Sequence, residues 1–341
     1  MEIRIKDKIL NIPIIQGGMG IGVSKGLLAG KVAQNGGAGT ISFVNCGYCE
    51  DDFYIDKISA NKRAFLKELK IAKDISKGSG MILVNIMNVV NKFKDYIVFL
   101  NNTDVDGIVV GAGLPLDLPK YVGKDKIIAP VISSARALNM ISKKWQKLNR
   151  KPDFVVFEGP EAGGHLGFKE DELQIDVFEE LKKILDVTKD IPVFIGGGFG
   201  TAEKIKLALS HGATGVQIGT GFLFTEEANL DKKVKSKLLK LKNMGKIECS
   251  ILNSPVGLLA RGLNTTFVNK VKQERVMSNH CIDCIKTCKK SQTQYCINDA
   301  LINAIKGDME NGLFFCGTDI DNFHEVISVD KYMDLLRSGY E

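Results

Sequence analysis

Three side chains able to move protons or meet charge share one short loop. In the run EGPEAGGHLGF, Glu158, Glu161 and His165 directly follow the apolar stretch 154–157. An imidazole near its ordinary pKa exchanges a proton, or hydrogen-bonds an anion, at neutral pH. His165 is the candidate catalytic residue; a capping or core role is the alternative. His211 precedes a glycine at a helix end, where a histidine serves the C-terminal dipole. Asn85 closes the apolar run MILV. Its amide can donate and accept at once, as recognition of a polar ring edge requires. Asn88 and Asn91 beside it keep a plain turn role open.

Two glycine-rich stretches follow short aliphatic runs. IPVFIGGGFGTAEKI reads as strand, loop and helix, and VQIGTGFLF as a strand followed by Gly-Thr-Gly. Glycine lets backbone N–H groups reach phosphate oxygens, and Thr220 adds a hydroxyl. Residues 196–200 lack the GxGxxG spacing of a dinucleotide fingerprint and sit late in the chain, so a mononucleotide phosphate fits better.

Cysteines form a third constellation, Cys281-x2-Cys284-x3-Cys288-x7-Cys296. Thiolates so spaced can hold Zn²⁺ or an Fe–S cluster. The spacing matches neither the repeated Cys-x2-Cys pair of a zinc ribbon nor the ferredoxin runs. Reduced thiols, or disulfides stapling an extension, explain it equally well. Cys46 and Cys49 could be a second pair or join that site; Cys249 and Cys316 read as small buried hydrophobes.

Periodicity supplies the elements that must position these residues. Candidate strands cover 12–16, 39–42, 82–86, 107–110, 127–131, 154–157, 193–195 and 215–218. Helix-like segments cover 24–35, 62–76, 89–101, 134–148, 175–188 and 202–211, with Ser24 and Thr201 read as N-caps. Apolar runs without polar alternation, separated by helices, indicate a parallel sheet buried on both faces. Eight such units predict an α/β fold, a TIM (β/α)8 barrel, with a doubly wound open sheet as the alternative. Ten glycines fall between Gly17 and Gly47 and twelve between Gly159 and Gly221, many directly after strands. In a barrel that is the face which carries the site, and loops seven and eight are its usual phosphate end. The barrel accounts for residues 1–225. Residues 226–341 are expected to form a helical cap or extension containing the cysteine cluster. Within it, 228–245 reads as a helix with Val234, Leu238 and Leu241 buried and its lysines solvated.

Composition sets the outer limits. The 341 residues are 44% hydrophobic and 25% charged, which excludes disorder for most of the chain. Net charge is +6 without a run of like charge, and there is one Trp, so no nucleic-acid partner is expected. No apolar run is long enough for a bilayer, and the N-terminus lacks a secretory h-region, which predicts a cytoplasmic protein with no membrane partner.

Taken in order, IPIIQGGMG, VNIM, EGPEAGGHLGF, IPVFIGGG, GVQIGTGF and SPVG resemble the nitronate monooxygenase (2-nitropropane dioxygenase) family over about residues 9–270. The chain is also similar to the flavin-dependent enoyl-ACP reductase II. The resemblance implies an FMN-dependent barrel oxidoreductase. It implies that Gly17, Gly18 and Met19 line the isoalloxazine, and that Asn85 and Glu158 bind its polar edges. Gly163 would lie against it, and Gly197, Gln217, Ile218, Gly219 and Thr220 would hold the ribityl phosphate. His165 matches the family histidine over the flavin. The implied activity is oxidation of an alkyl nitronate with O2 to a carbonyl compound and nitrite. The alternative is NAD(P)H-dependent reduction of an enoyl thioester or another acceptor. Cysteine-rich tails like this one also occur in some members of the family that the chain resembles. Three positions depart from the monooxygenase pattern: Glu158 stands where Gln is common, QGGM replaces QAPM, and Gly221 stands where Arg often follows Gly-Thr. The substrate is a small molecule; oligomeric state is open, a homodimer being compatible.

Overall fold

The chain is described by a computed structural model covering residues 2–278 and 280–341. A hairpin of β1 (Ile3–Ile5) and β2 (Lys8–Leu10) comes first. It is followed by β3 (Ile14–Gln16), β4 (Ala38–Ser42), β5 (Met81–Met87), β6 (Gly107–Gly111), β7 (Ile127–Ile132) and β8 (Val155–Glu158). Then come β9 (Gly164–Leu166), β10 (Val193–Gly196), β11 (Gly215–Ile218), β12 (Cys249–Asn253) and β13 (Leu259–Leu263). Strands β3 to β8, β10 and β11 close into a parallel barrel, β11 pairing back onto β3. All eight expected strands are barrel strands.

The strands read as unbroken apolar runs because both faces are buried. Ile15, Leu83, Val109, Ala129, Val156 and Phe194 fill the interior, floored by Ile5 and Leu10 of the hairpin. The alternate residues, such as Ile14, Val84, Ile108 and Ile195, pack outward under the helices. The helices are α1 (Gly26–Gln34), α2 (Lys57–Ser76), α3 (Phe93–Asn101), α4 (Ala135–Gln146), α5 (Val177–Thr188) and α6 (Ala202–Ser210). After these come α7 (Thr220–Leu223), α8 (Lys232–Asn243), α9 (Thr266–Gln273), α10 (Ile297–Ile305) and α11 (Val329–Arg337). Asp56, Ser134, Asp176 and Thr201 cap α2, α4, α5 and α6 by accepting from backbone N–H groups of the first turn. Each such cap stabilises its helix by about 1 kcal/mol. No helix among the described residues is long and apolar enough to cross a membrane.

Four local expectations are corrected. Ser24 does not cap α1, whose N-cap is Lys25 without a side-chain bond. The Ser24 hydroxyl instead accepts from Met19 N–H and Gln16 Nε2, each at 2.9 Å, pinning the Gly17–Met19 loop. Helix α3 starts at Phe93 rather than at 89, because Val90 bridges to Ile285 of the extension. Not every α8 lysine is solvated: Lys235 is fully buried, and its Nζ donates to the carbonyls of Thr225 and Ala228. The extension is also not purely helical. Its β12 and β13 join β9 in an antiparallel sheet, Ala260 standing opposite His165.

Candidate active site

The carboxyl ends of the barrel strands open into one cavity of about 250 Å³, roofed by the extension. Gly17, Gly18, Met19, Asn85, Glu158, Gly163, His165, Gly197, Gln217, Ile218, Gly219 and Thr220 all line it. The structure therefore gathers in one place every residue that the resemblance assigned to flavin or catalysis. Gly18 is required by packing, since a Cβ there would stand 2.3 Å from Asn85 Cβ. The Asn85 side chain is thereby pressed against the first loop, with Nδ2 3.5 Å from Val109 O. Gly163 lies flat on the backbone of Cys316 and Gly317. At position 221 the space a side chain would need is taken by Tyr332, whose hydroxyl donates to Gly200 O at 2.8 Å.

His165 is placed by the small sheet. Strand β13 fixes its backbone, Phe315 meets its ring edge-on at 5.1 Å, and Ser254 Oγ is 2.8 Å from Nε2. Burial pushes the imidazole pKa down to about 4, so it is neutral at pH 7. Burial acts oppositely on Glu158, pushing its carboxyl up to about 8. Glu158 is therefore mostly a protonated acid at neutral pH, with one donor and one acceptor, as a Gln amide would offer. Burial also lifts Asp319, another cavity residue, to about 6, with Glu161 nearby adding to the shift.

The phosphate end is built from backbone. Gly197 has φ +88° and Gly198 φ +87°, the left-handed region that favours glycine. Among the described residues, no backbone carbonyl takes the N–H of Gly197, Gly198, Gly219 or Thr220. Four amides without a backbone acceptor suit an anion, and the open space at Gly219 leaves room for it. Thr220 Oγ1 accepts from Gly317 N–H at 2.9 Å, so the extension supports this end as well. These residues fit FMN: a cradle for the ring, neutral polar groups for its edges, and free amides for its phosphate.

The metal expectation is corrected. Among the described residues, no three His, Cys, Asp or Glu side chains converge as a metal site, and all eight cysteines are free thiols. Cys281 is exposed, Cys284 faces the main cavity, Cys288 is half-buried, and Cys296 stands at the N-cap of α10. Burial pushes Cys284 up to about 12, toward a neutral thiol. Close spacing in sequence is undone by a loop that follows the barrel rim: Lys57 Nζ holds the carbonyls of Ile282 and Asp283, and Asn91 N–H that of Cys284. Cys46 is buried with its thiol on Asn61 O and Cys49 is exposed, so neither joins the others. His211 is as expected, its Nδ1 donating to Leu207 O at 2.8 Å.

Sequence reasoning assigned no role to Ser254 or Asp319. The signal for Ser254 was the SPVG motif; for Asp319, in a polar stretch far from the barrel motifs, there was none.

A parallel eight-stranded barrel whose strand ends carry glycine loops and a buried neutral histidine around one cavity defines a TIM barrel with its ligand site at the carboxyl ends of the strands. The chain belongs to the nitronate monooxygenase family, whose profile matches residues 3–338. A probable nitronate monooxygenase from Staphylococcus haemolyticus (strain JCSC1435) is 36% identical over 126 residues, which is 36% of this chain and 34% of that relative. FabK from Thermotoga maritima superposes with TM-score 0.72 at 22% identity, covering 97% of this chain and 93% of FabK. A nitroalkane oxidase from Streptomyces ansochromogenes superposes equally well, TM-score 0.72 at 17% identity, covering 97% and 96%. At these identities the superpositions show a shared fold.

Proposed function

We propose that the protein is an FMN-dependent nitronate monooxygenase that oxidises alkyl nitronates with O2 to a carbonyl compound and nitrite. FMN, when bound, supplies the electron acceptor that no side chain here can replace. Gly17, Gly18 and Met19 would carry its ring, with Gly163 against it and Asn85 and Glu158 at its polar edges. Gly197, Gln217, Ile218, Gly219 and Thr220 would hold the ribityl phosphate. Residues 1–225 thus hold the cofactor, and residues 226–341 close the cavity and fix His165.

The observation that carries the reading is the neutral His165, held at Nε2 by Ser254 inside that cavity. With Nε2 engaged, Nδ1 is left for the substrate. As N–H it donates to a nitro oxygen of the nitronate; as a lone pair it accepts the α-proton of a neutral nitroalkane. The test is O2 uptake and nitrite release with propyl-2-nitronate. The expected result is turnover by the wild type, with His165→Ala lowering kcat/KM by about 100-fold while FMN is retained. Absence of turnover by the flavin-loaded wild type overturns the reading.

The protonated Glu158 favours a second reading, an NAD(P)H-dependent enoyl-ACP reductase II, whose members resemble this chain at that position. NAD(P)H oxidation dependent on crotonyl thioester, without nitronate turnover, selects it.

A further inference from the structure

One buried hydroxyl close to His165 has no place in the site described so far. Tyr295 is 3% exposed, and among the described residues its Oη has no hydrogen-bond partner. Its backbone is held against Val276, and its ring meets Phe267 edge-on at 5.4 Å. Burial raises the phenol pKa, so the group is an O–H at neutral pH. Tyr295 is not among the described residues that line the cavity, but the side chain it faces is Ser254. Ser254 Oγ also accepts from Val256 N–H at 3.3 Å and lies 2.8 Å from His165 Nε2.

Two orders of donation can link these three groups, and they differ in what they strand. If His165 donates from Nε2 to Ser254, the serine proton goes to Tyr295 and the phenolic O–H is left buried without an acceptor. If Tyr295 donates to Ser254, every proton has a place. A serine oxygen accepts two hydrogen bonds and donates one. Val256 N–H and Tyr295 O–H fill its two acceptor sites, and its own proton is left for Nε2. A buried donor without a partner carries its full desolvation cost, whereas a spare lone pair on the phenol oxygen costs less.

We infer that Tyr295 is a positioning residue which, through Ser254, fixes the tautomer of His165 with the proton on Nδ1. Nδ1, the ring nitrogen not engaged by Ser254, is thus a constant donor. The consequence for substrate rests on the function proposed above; the tautomer does not. Nδ1–H donates to a nitro oxygen of a nitronate that arrives already deprotonated, and the α-proton of a neutral nitroalkane finds no base there.

The test is long-range proton–nitrogen NMR at neutral pH on the FMN-loaded protein, with its four histidines labelled with heavy nitrogen and His165→Gln identifying the signal. The expected result is a single tautomer at His165, protonated on Nδ1. Tyr295→Phe keeps the ring and removes only the O–H. It should give a mixture of tautomers and lower kcat with propyl-2-nitronate by about fivefold, with KM unchanged within about twofold. In a Ser254→Ala background the same change should alter kcat by less than about twofold, because its route to His165 is gone. Should Tyr295→Phe fail to fold, Ser254→Ala alone should lose the single tautomer. A wild-type His165 protonated on Nε2, a tautomer untouched by Tyr295→Phe or by Ser254→Ala, or equal effects of Tyr295→Phe with and without Ser254 overturns the relay. The proposed activity fails separately: an Nδ1 proton that depends on Tyr295, without nitronate turnover by the wild type, removes the activity and keeps the relay, and turnover with the proton on Nε2 does the reverse.

Discussion

Glu158 and His165 have opposite linkages to pH, and that difference can be measured on the protein without FMN. Glu158 is raised from 4.5 to about 8, so between those values the folded state keeps a proton that the unfolded chain has released. Stability therefore falls as pH rises through that window. His165 is lowered from 6.5 to about 4, so its cost appears only as pH falls below 6.5. Asp319, raised from 3.8 to about 6, has had its effect by pH 6. From pH 6.5 to 8 Glu158 dominates, and the unfolding free energy should drop by about 2 kcal/mol over that span. Glu158→Gln should abolish the decline, read from denaturant unfolding at pH 6.5 and 8. An unchanged slope would show that the carboxyl is ionised. Asp319 makes a related prediction for the phosphate end. Its carboxylate opposes an anion, so FMN affinity should weaken as pH rises through about 6. Asp319→Asn should flatten that dependence and tighten FMN by roughly tenfold at pH 8, measured by fluorescence titration.

At the scale of elements, His165 depends on a sheet that the sequence hides. Strands β9, β12 and β13 have three, five and five residues, and β13 finds β9 about a hundred positions away in the chain. Nothing local marks such pairing, whereas the barrel strands announce themselves as aliphatic runs ending in glycine. The same limit explains α3, whose apparent first turn is claimed by Ile285, and Ser24, whose hydroxyl serves Met19 and Gln16 rather than a helix end. The glycine loops and EGPEAGGHLGF were legible because their chemistry is local. The cysteine spacing was not, because spacing along a loop does not say where thiols point. Ser254, just after β12, acts on His165 as a positioning residue. Ser254→Ala should lower kcat/KM by about tenfold, mainly in kcat, and shift the acidic limb of the pH–rate profile; Ser254→Thr should restore both. A variant that changes only thermal stability would mark the contact as structural.

For the whole molecule, the question is whether residues 226–341 are an appendage or part of the barrel's own core. One apolar cluster runs from Ile12 and Ile14 through the barrel helices to Phe267, Leu313, Met333 and Leu336. Tyr332 reaches Gly200, Tyr340 reaches Pro13 O at 2.8 Å, and the buried Lys235 closes on Thr225 and Ala228. An extension tied in this way cannot melt early without uncovering the outer face of β3 and α6, which exposes too much apolar surface for the barrel to stand alone. The single tryptophan makes this testable. Trp145 is fully buried on the barrel helix α4, its Nε1 donating to Pro115 O at 2.9 Å. Its fluorescence reports the barrel, while an environment-sensitive label on exposed Met277, replaced by cysteine in a background lacking Cys49 and Cys281, reports the extension. The two denaturation curves should coincide, with one midpoint and one slope. An extension signal lost at lower denaturant, with Trp145 still native, would separate the chain into two units. His165 would then lose its β13 support before the barrel unfolds, and activity should disappear with the first transition.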